Sequence, residues 1–374
     1  MAQSVTLRPR FNEYTAETPI LVLGLPGVPG FNVFFHLRAL FPGQILGAAP
    51  PNALELVAPG NPFGSGILAA DPENPAQLSG LFRTHNIRTV IDASGWCALK
   101  SCEFDPALAR RLNVDIGRHA MELAKGHGAR LIRLSTDLVF DGNPYPDPHG
   151  KNGGIGGMRL GGYREDSPVS PVTVYGKMMA EAETVITEGY PEAAILRIAL
   201  PMGPSLNGHA GAVDWIESRF RKGKPATLYF DEVRSNLYVQ DLAKVIAHFL
   251  GNGERGIWHV GGPRPLSLYR IAQALNRLGN YPAELLMGCP RAAAGPMPPR
   301  AGDVSMNTDK LTALLPKGTV RPWPALEEHL PADDEWHARR GEPFPAGSIA
   351  RHLYGDGWPD AWDHPLNLIP GAGD

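Results

Sequence analysis

Only three cysteines occur in 374 residues, Cys97, Cys102 and Cys289, and no two form a CxxC pair. An odd set without that spacing supports neither a disulfide framework nor a zinc site, so reduced thiols are expected. Charge of one sign is missing too. The 35 Lys and Arg nearly balance 38 Asp and Glu, leaving a formal charge of −3, and the only basic cluster is the loose set Arg219, Arg221, Lys222 and Lys224. Nucleic acid is therefore not an expected partner. Apolar runs such as residues 20–24 and 245–250 fall far short of the roughly 18–20 residues needed to cross a bilayer, and the N-terminus has no charged-then-apolar signal pattern. No membrane association is expected, and these absences together predict a cytoplasmic protein.

Glycine and proline, by contrast, are plentiful at 43 and 37 residues. They make the chain rich in loops, yet 43% hydrophobic against 20% charged residues is ample for a buried core and excludes disorder and collagen. The length suits a large α/β domain carrying a smaller lobe.

Through the first half, short apolar runs alternate with amphipathic stretches: residues 20–24 then 33–41, 89–93 then 106–124, and 130–135 then a helix from about 172. Such alternation predicts βα units, and strands this continuously apolar are covered by helices on both faces. The predicted fold class is α/β, a Rossmann-like doubly wound parallel sheet. After residues 194–198 the regularity loosens. Helices near 212–220, 240–250, 266–278 and 307–315, with short strands at 226–229 and 256–260, read as a substrate lobe.

The first strand runs into Gly24-Leu-Pro-Gly27-Val-Pro-Gly30 and then a helix. Glycines there let backbone approach a pyrophosphate, and the helix N-terminus offers N–H groups and a positive dipole end. Strand–turn–helix context favours dinucleotide binding by Gly24, Gly27 and Gly30 over a plain tight turn. The second strand, Gln44 to Asn52, ends with neither the acidic residue that holds a ribose nor an Arg for a 2′-phosphate, so NAD and NADP are not distinguished. Asp71 is a candidate for the adenine side or an ordinary helix cap. The run Ser135-Thr136-Asp137-Leu-Val-Phe-Asp141-Gly142 follows another strand, where ligands bind in open α/β sheets. Further on, Tyr175 lies in the first turn of the helix in SPVSPVTVYGKMMAEAE.

The glycine triplet, LSTDLVFDG, GGYREDSPVSPVTVYG, ILRIALPMG and SNLYVQDLAKVI together resemble the extended short-chain dehydrogenase/reductases. The likeness is greatest to the dTDP-4-dehydrorhamnose reductase branch, which also contains the regulatory β subunit of methionine adenosyltransferase. It covers roughly residues 18–330. It implies a Ser or Thr, a Tyr, and a Lys four residues after that Tyr as the working set, matched in the first two by Thr136 and Tyr175. A free Tyr, with a pKa of about 10, is a poor acid or base at neutral pH unless a cation lowers it. The Lys supplies that cation one helical turn away. The resemblance further implies that Ala93 and Ser94 lie along the cofactor, that Asn113 supports the active-site backbone, and that Arg234 borders a nucleotide-sugar site where it can clamp a diphosphate.

This sequence departs from the pattern at Met179, which stands where the Lys belongs. Lys177 falls about 200° around the helix from Tyr175 and should point away. Two readings stay open: a reductase using another cation, with Arg164 and Arg234 as candidates, or a protein that kept the fold and NAD or NADP but not the hydride chemistry. The segment 143–162, half of it Gly or Pro, reads as a lid or a surface insertion. The tail 331–374 holds Trp336, Trp358, Trp362, Phe344 and Tyr354, which should pack on their own domain or on a partner subunit, as in a homodimer. Its His337, His352 and His364 have no ligand spacing, so no metal is assigned. The expected organisation is a dinucleotide-binding domain over 18–200 with the insertion, a substrate lobe over 201–330 and the aromatic extension over 331–374. The expected function is an NAD(P)-dependent reductase or epimerase-type enzyme on a nucleotide-linked keto sugar. The alternative is a non-catalytic regulatory or scaffold subunit.

Overall fold

A computed structural model of the protein describes residues 14–54, 66–142, 162–206, 211–345 and 348–354. The chain runs β1 (Ile20–Leu23), α1 (Val28–Leu40), β2 (Ile45–Ala49), α2 (Pro51–Leu54), β3 (Ile67–Ala69), α3 (Pro75–His85) and β4 (Thr89–Asp92). Next come α4 (Leu99–Phe104), α5 (Pro106–Arg110), a π turn at Arg111–Asp115, α6 (Ile116–Gly126), β5 (Arg130–Thr136), α7 (Val174–Gly189) and β6 (Ala194–Ile198). The later part holds β7 (Pro201–Met202), α8 (Ala212–Arg221), β8 (Ala226–Tyr229), β9 (Val233–Arg234), β10 (Leu237–Tyr238), α9 (Val239–Asn252) and β11 (Gly256–Val260). It ends with β12 (Leu266–Ser267), α10 (Leu268–Leu278), β13 (Leu286–Cys289), α11 (Asp309–Leu314) and α12 (Ser348–Leu353).

Seven strands form one parallel sheet in the order β11-β6-β5-β4-β1-β2-β3. This is the Rossmann-like, doubly wound sheet read from the alternation of the sequence. Successive strand residues point to opposite faces. Ile20, Val22, Ile91, Ile132 and Leu196 meet Val33, Phe34 and Leu37 of α1 and Val245, Ile246 and Phe249 of α9. Leu21, Leu23, Val90, Leu131 and Ile195 meet Leu78 and Phe82 of α3, Ala120 and Met121 of α6, and Ile186 of α7. Burial of each large apolar side chain contributes about 1.5–3 kcal/mol, so both helix layers are held by these contacts.

The strand Gly256–Val260, grouped with the lobe by sequence regularity, is instead the outer strand of the main sheet, in register with β6 from Gly256↔Ala194 to Val260↔Ile198. Its Trp258 and Val260 complete the core on the α9 face. The helix expected over 106–124 runs from Pro106 to Gly126 and contains a π turn at Arg111–Asp115, a difference with consequences for the site.

A second core gathers Val213, Ile216 and Phe220 of α8, Leu228 of β8 and Ile271 and Leu275 of α10 around the fully buried Trp323. The described part of the tail lies against this core. Trp336 is buried under Arg277, whose guanidinium sits 4.2 Å from the ring centre, and Leu353 and Tyr354 are buried with Trp323. Side chains of α10 hold the tail by its backbone: Arg270 donates to the Pro331 carbonyl at 2.8 Å and Gln273 to those of Asp333 and Asp334 at 3.0 and 2.8 Å. Trp358, Trp362, His364 and nearly all of the insertion 143–162 lie outside the described residues.

Candidate active site

Because β5, β4 and β1 are neighbours, their carboxyl ends bring the glycine loop, Ala93–Ser94 and Thr136 to one edge of the sheet. The three glycines have separate reasons. Gly24 has φ +80°, and a Cβ on it would lie 2.2 Å from the Ala93 carbonyl oxygen; a Cβ on Gly30 would lie 2.2 Å from the Gly24 oxygen. The turn itself requires both. Gly27 is different: nothing comes closer than 3.5 Å to the place of its Cβ, and it caps α1, which begins without a side-chain cap. An open backbone at a helix N-terminus fits the pyrophosphate of a dinucleotide. Asp71 closes a turn, accepting from the Glu73 N–H at 2.9 Å, while Asn74 caps α3 by accepting from the N–H groups of Ala76 and Gln77 at 3.1 and 3.3 Å. The helix cap anticipated at Asp71 thus belongs to Asn74.

Asn113 lies in the π turn and clamps the loop after β4. Its Oδ1 accepts from the Trp96 N–H at 2.7 Å, and its Nδ2 donates to the carbonyls of Trp96 and Ala109 at 3.3 and 2.8 Å. That loop carries Ser94, whose hydroxyl donates to Asp92 at 2.5 Å, and the exposed Cys97.

Thr136 ends β5 with its Oγ1 accepting from the Leu138 N–H at 3.2 Å. Its hydroxyl donates to Asp137 Oδ1 at 3.2 Å and stands beside Tyr175. The start of α7 is fixed twice, by the Thr173 Oγ1 accepting from Gly176 at 2.9 Å and by Glu103 of α4 accepting from Val174 at 2.8 Å. Gly176 permits the close approach of α7 to the turn after β5, since a Cβ there would lie 2.2 Å from the Leu138 oxygen. Two turns on, Glu183 accepts from Ser135 at 2.5 Å and from Arg197 of β6 at 2.9 and 2.7 Å, pinning the helix to the sheet. Burial raises the Tyr175 hydroxyl well above its ordinary pKa, the neighbouring Cys97 adds to the rise, and the Arg133 guanidinium opposes it. Tyr175 is therefore protonated throughout the neutral range.

The structure brings neither Arg164 nor Arg234 to the place of the missing Lys. Arg164 is exposed, with its backbone N–H bonded to Ser167. Arg234 is buried in a bidentate pair with Asp137, Nε to Oδ2 at 2.6 Å and Nη2 to Oδ1. It still borders the Tyr175 region through Asp137. The side chain against Met179 is Arg133, whose Nη2 lies 3.9 Å from the Met179 sulfur. Met179 is 3% exposed, whereas Lys177 points to solvent as the helical spacing requires. Arg133 escaped the sequence reading because it lies inside the apolar run Leu131-Ile-Arg-Leu. A cation in the middle of a strand covered on both faces was the signal.

Residues 44–330 match the family described as the RmlD substrate binding domain, more than half of the chain. The chain belongs to the RmlD substrate-binding-domain family. Among relatives of this RmlD-family chain, a dTDP-4-dehydrorhamnose reductase of Streptomyces griseus is 29% identical over 287 residues, 74% of this chain and 86% of that protein. The methionine adenosyltransferase 2 subunit beta of Xenopus laevis is 30% identical over 190 residues, 49% of this chain and 52% of that protein. Among solved structures, dTDP-4-dehydrorhamnose reductase from Bacillus anthracis in complex with NADP superposes with TM-score 0.63 at 18% identity, covering 79% of this chain and 92% of that one. A Thermotoga maritima UDP-glucose 4-epimerase with UDP-glucose gives 0.64 at 18%, covering 79% and 91%. These two likenesses establish the shared fold.

Proposed function

We propose that the protein is an NAD(P)-dependent reductase, or an epimerase-type oxidoreductase, acting on a nucleotide-linked keto sugar. The Thr136–Tyr175 hydroxyl pair at the end of β5, beside the open backbone at Gly27, carries this reading. The dinucleotide, held by Gly24, Gly27 and Gly30 with Ala93 and Ser94 along it, would supply the hydride. Thr136 polarises the substrate carbonyl, and Tyr175, protonated at neutral pH, donates the proton to its oxygen. Arg234, fixed by Asp137, borders the nucleotide diphosphate. The similarity to a dTDP-4-dehydrorhamnose reductase along most of its length supports the substrate class.

The direct test follows NADH or NADPH oxidation with dTDP-4-keto sugars. Tyr175→Phe should lower turnover by about 10²–10⁴-fold while cofactor fluorescence reports unchanged binding. Full turnover in that variant would refute the role. A second reading is favoured by Met179 and by the similarity to the methionine adenosyltransferase beta subunit: a non-catalytic NAD(P)-binding regulatory or scaffold subunit, with the tail 331–374 or the insertion 143–162 as its contact surface. Tight cofactor binding by the wild-type protein without turnover on any keto sugar would establish that reading in place of the first.

A further inference from the structure

The guanidinium of Arg133 is 1% exposed and reaches four groups from three elements. It meets the Asp92 carboxylate of β4 at 2.7 Å, the Ser94 hydroxyl beyond β4 at 2.9 Å, the Asn113 carbonyl of the π turn at 3.1 Å and the Met179 sulfur of α7 at 3.9 Å. Room for it is made by Gly117 on α6, where a Cβ would lie 3.4 Å from the guanidinium carbon. A π turn inside a helix is a recurrent mark of functional sites, and here it contributes a backbone carbonyl to a buried cation. From these contacts we propose that Arg133, rising from β5, carries the positive charge missing from position 179 and acts as a positioning residue on Tyr175. The proposal rests on the reading of Tyr175 as proton donor.

The charged neighbourhood of Tyr175 supports it. On the sheet side stand Arg133 and Asp137, with Asp92 paired behind Arg133. Arg234 from β9 is matched by Asp137, the Cys97 thiol comes from the loop after β4, and Glu103 of α4 accepts from the start of α7. Of these groups, Arg133 lowers the Tyr175 pKa; Arg234 also interacts with Tyr175, and what sets Arg133 apart is its place against Met179, 3.9 Å from the sulfur. Met179 follows from the same arrangement. A Lys there would set a second buried cation within about 4 Å of the first, where repulsion between desolvated like charges is large. A thioether is neutral, flexible and polarisable, and it packs against the guanidinium without that penalty. Arg133 and Met179 are thus a matched pair, and restoring Lys alone should harm the protein.

The test replaces Tyr175 with difluorotyrosine, whose free pKa lies closer to neutrality, and titrates it by fluorine NMR. It needs no substrate, so it succeeds or fails separately from the reductase assay. The pair Arg133→Gln with Asp92→Asn removes the charge while keeping a hydrogen-bonding side chain and leaving no carboxylate unpaired. It should raise the pKa at 175 by about one unit or more, a tenfold loss of acidity. Adding Met179→Lys to that pair should reverse the rise. Arg133→Lys, which keeps the charge, is the second variant should the neutral pair fail to fold, and its pKa at 175 should stay within about half a unit of wild type. Met179→Lys alone should lower the melting temperature by about 5 °C or more. An unchanged pKa in the folded neutral pair, a large rise in Arg133→Lys, or full thermal stability of Met179→Lys would overturn the proposal and leave Arg133 as a helix–sheet tie.

Discussion

Gly24, Gly27 and Gly30 read as one motif, yet only two of them are required by the fold. Placing a Cβ at Gly24 or Gly30 drives it to 2.2 Å from a carbonyl oxygen, so Gly30→Ala should cost about 2–4 kcal/mol in urea unfolding. Gly27→Ala meets nothing nearer than 3.5 Å and has an extended backbone, φ −79° and ψ 161°. It should leave stability within about 1 kcal/mol of wild type while weakening NADH or NADPH binding about tenfold, measured by cofactor fluorescence. Equal loss of stability from all three substitutions would show the loop to be a turn and nothing more. At this scale the sequence exposed the glycines, Thr136, Tyr175 and the anomaly at Met179, because chain spacing fixes each. It did not expose Arg133, 46 residues before Met179, because distance across a sheet is not written in chain spacing.

The helix α7 shows how an element delivers one hydroxyl. Its first turn is held by the Thr173 cap and Glu103, and it sits against the turn after β5 only because Gly176 has no side chain. Thr173→Ala should cost about 1 kcal/mol, the usual worth of a cap, whereas Gly176→Ala must displace the helix and should cost more, with a larger fall in turnover than in stability. Denaturant unfolding beside the reductase assay separates the two; a Gly176→Ala protein as active as wild type would mean that α7 tolerates displacement. The existence and type of α7 followed from its apolar periodicity. The π turn within the helix expected over 106–124 did not: Asn113 there bonds Trp96 and its carbonyl accepts from Arg133, contacts made across the fold that apolar periodicity does not record. Likewise Gly256–Val260 is a short apolar run that suits any strand, and only its pairing with β6 assigns it to the main sheet.

For the whole molecule, histidines tie stability to pH: His36, His259, His329 and His337 are all held below their ordinary pKa by burial, the first two furthest. Burial lowers the pKa of His36 to about 4 and that of His259 to about 3. His259 donates through Nδ1 to the Tyr163 carbonyl at 3.0 Å and presents Nε2 to Arg197 at 3.4 Å, so a second proton would face a guanidinium. Because the folded values lie below the unfolded value of about 6.5, the unfolded chain binds more protons in between, and stability falls as pH drops from about 6.5 toward 4. Each histidine contributes up to about 1.4 kcal/mol per pH unit in that window. Urea midpoints at pH 7, 6 and 5 should decline, and His259→Gln should flatten the decline. A midpoint independent of pH across that range would show that none of these rings is held neutral by the fold. Composition and the period of the apolar residues were enough to determine the doubly wound sheet, because local periodicity and turn chemistry are properties of neighbouring residues, and the motifs in their order carried the resemblance to the family. Tertiary structure alone decided which charges meet. Asp137 takes Arg234 from 97 residues away, and Arg133 stands beside Met179, since a buried charge chooses its partners by proximity across strands and helices that the chain connects only at a distance.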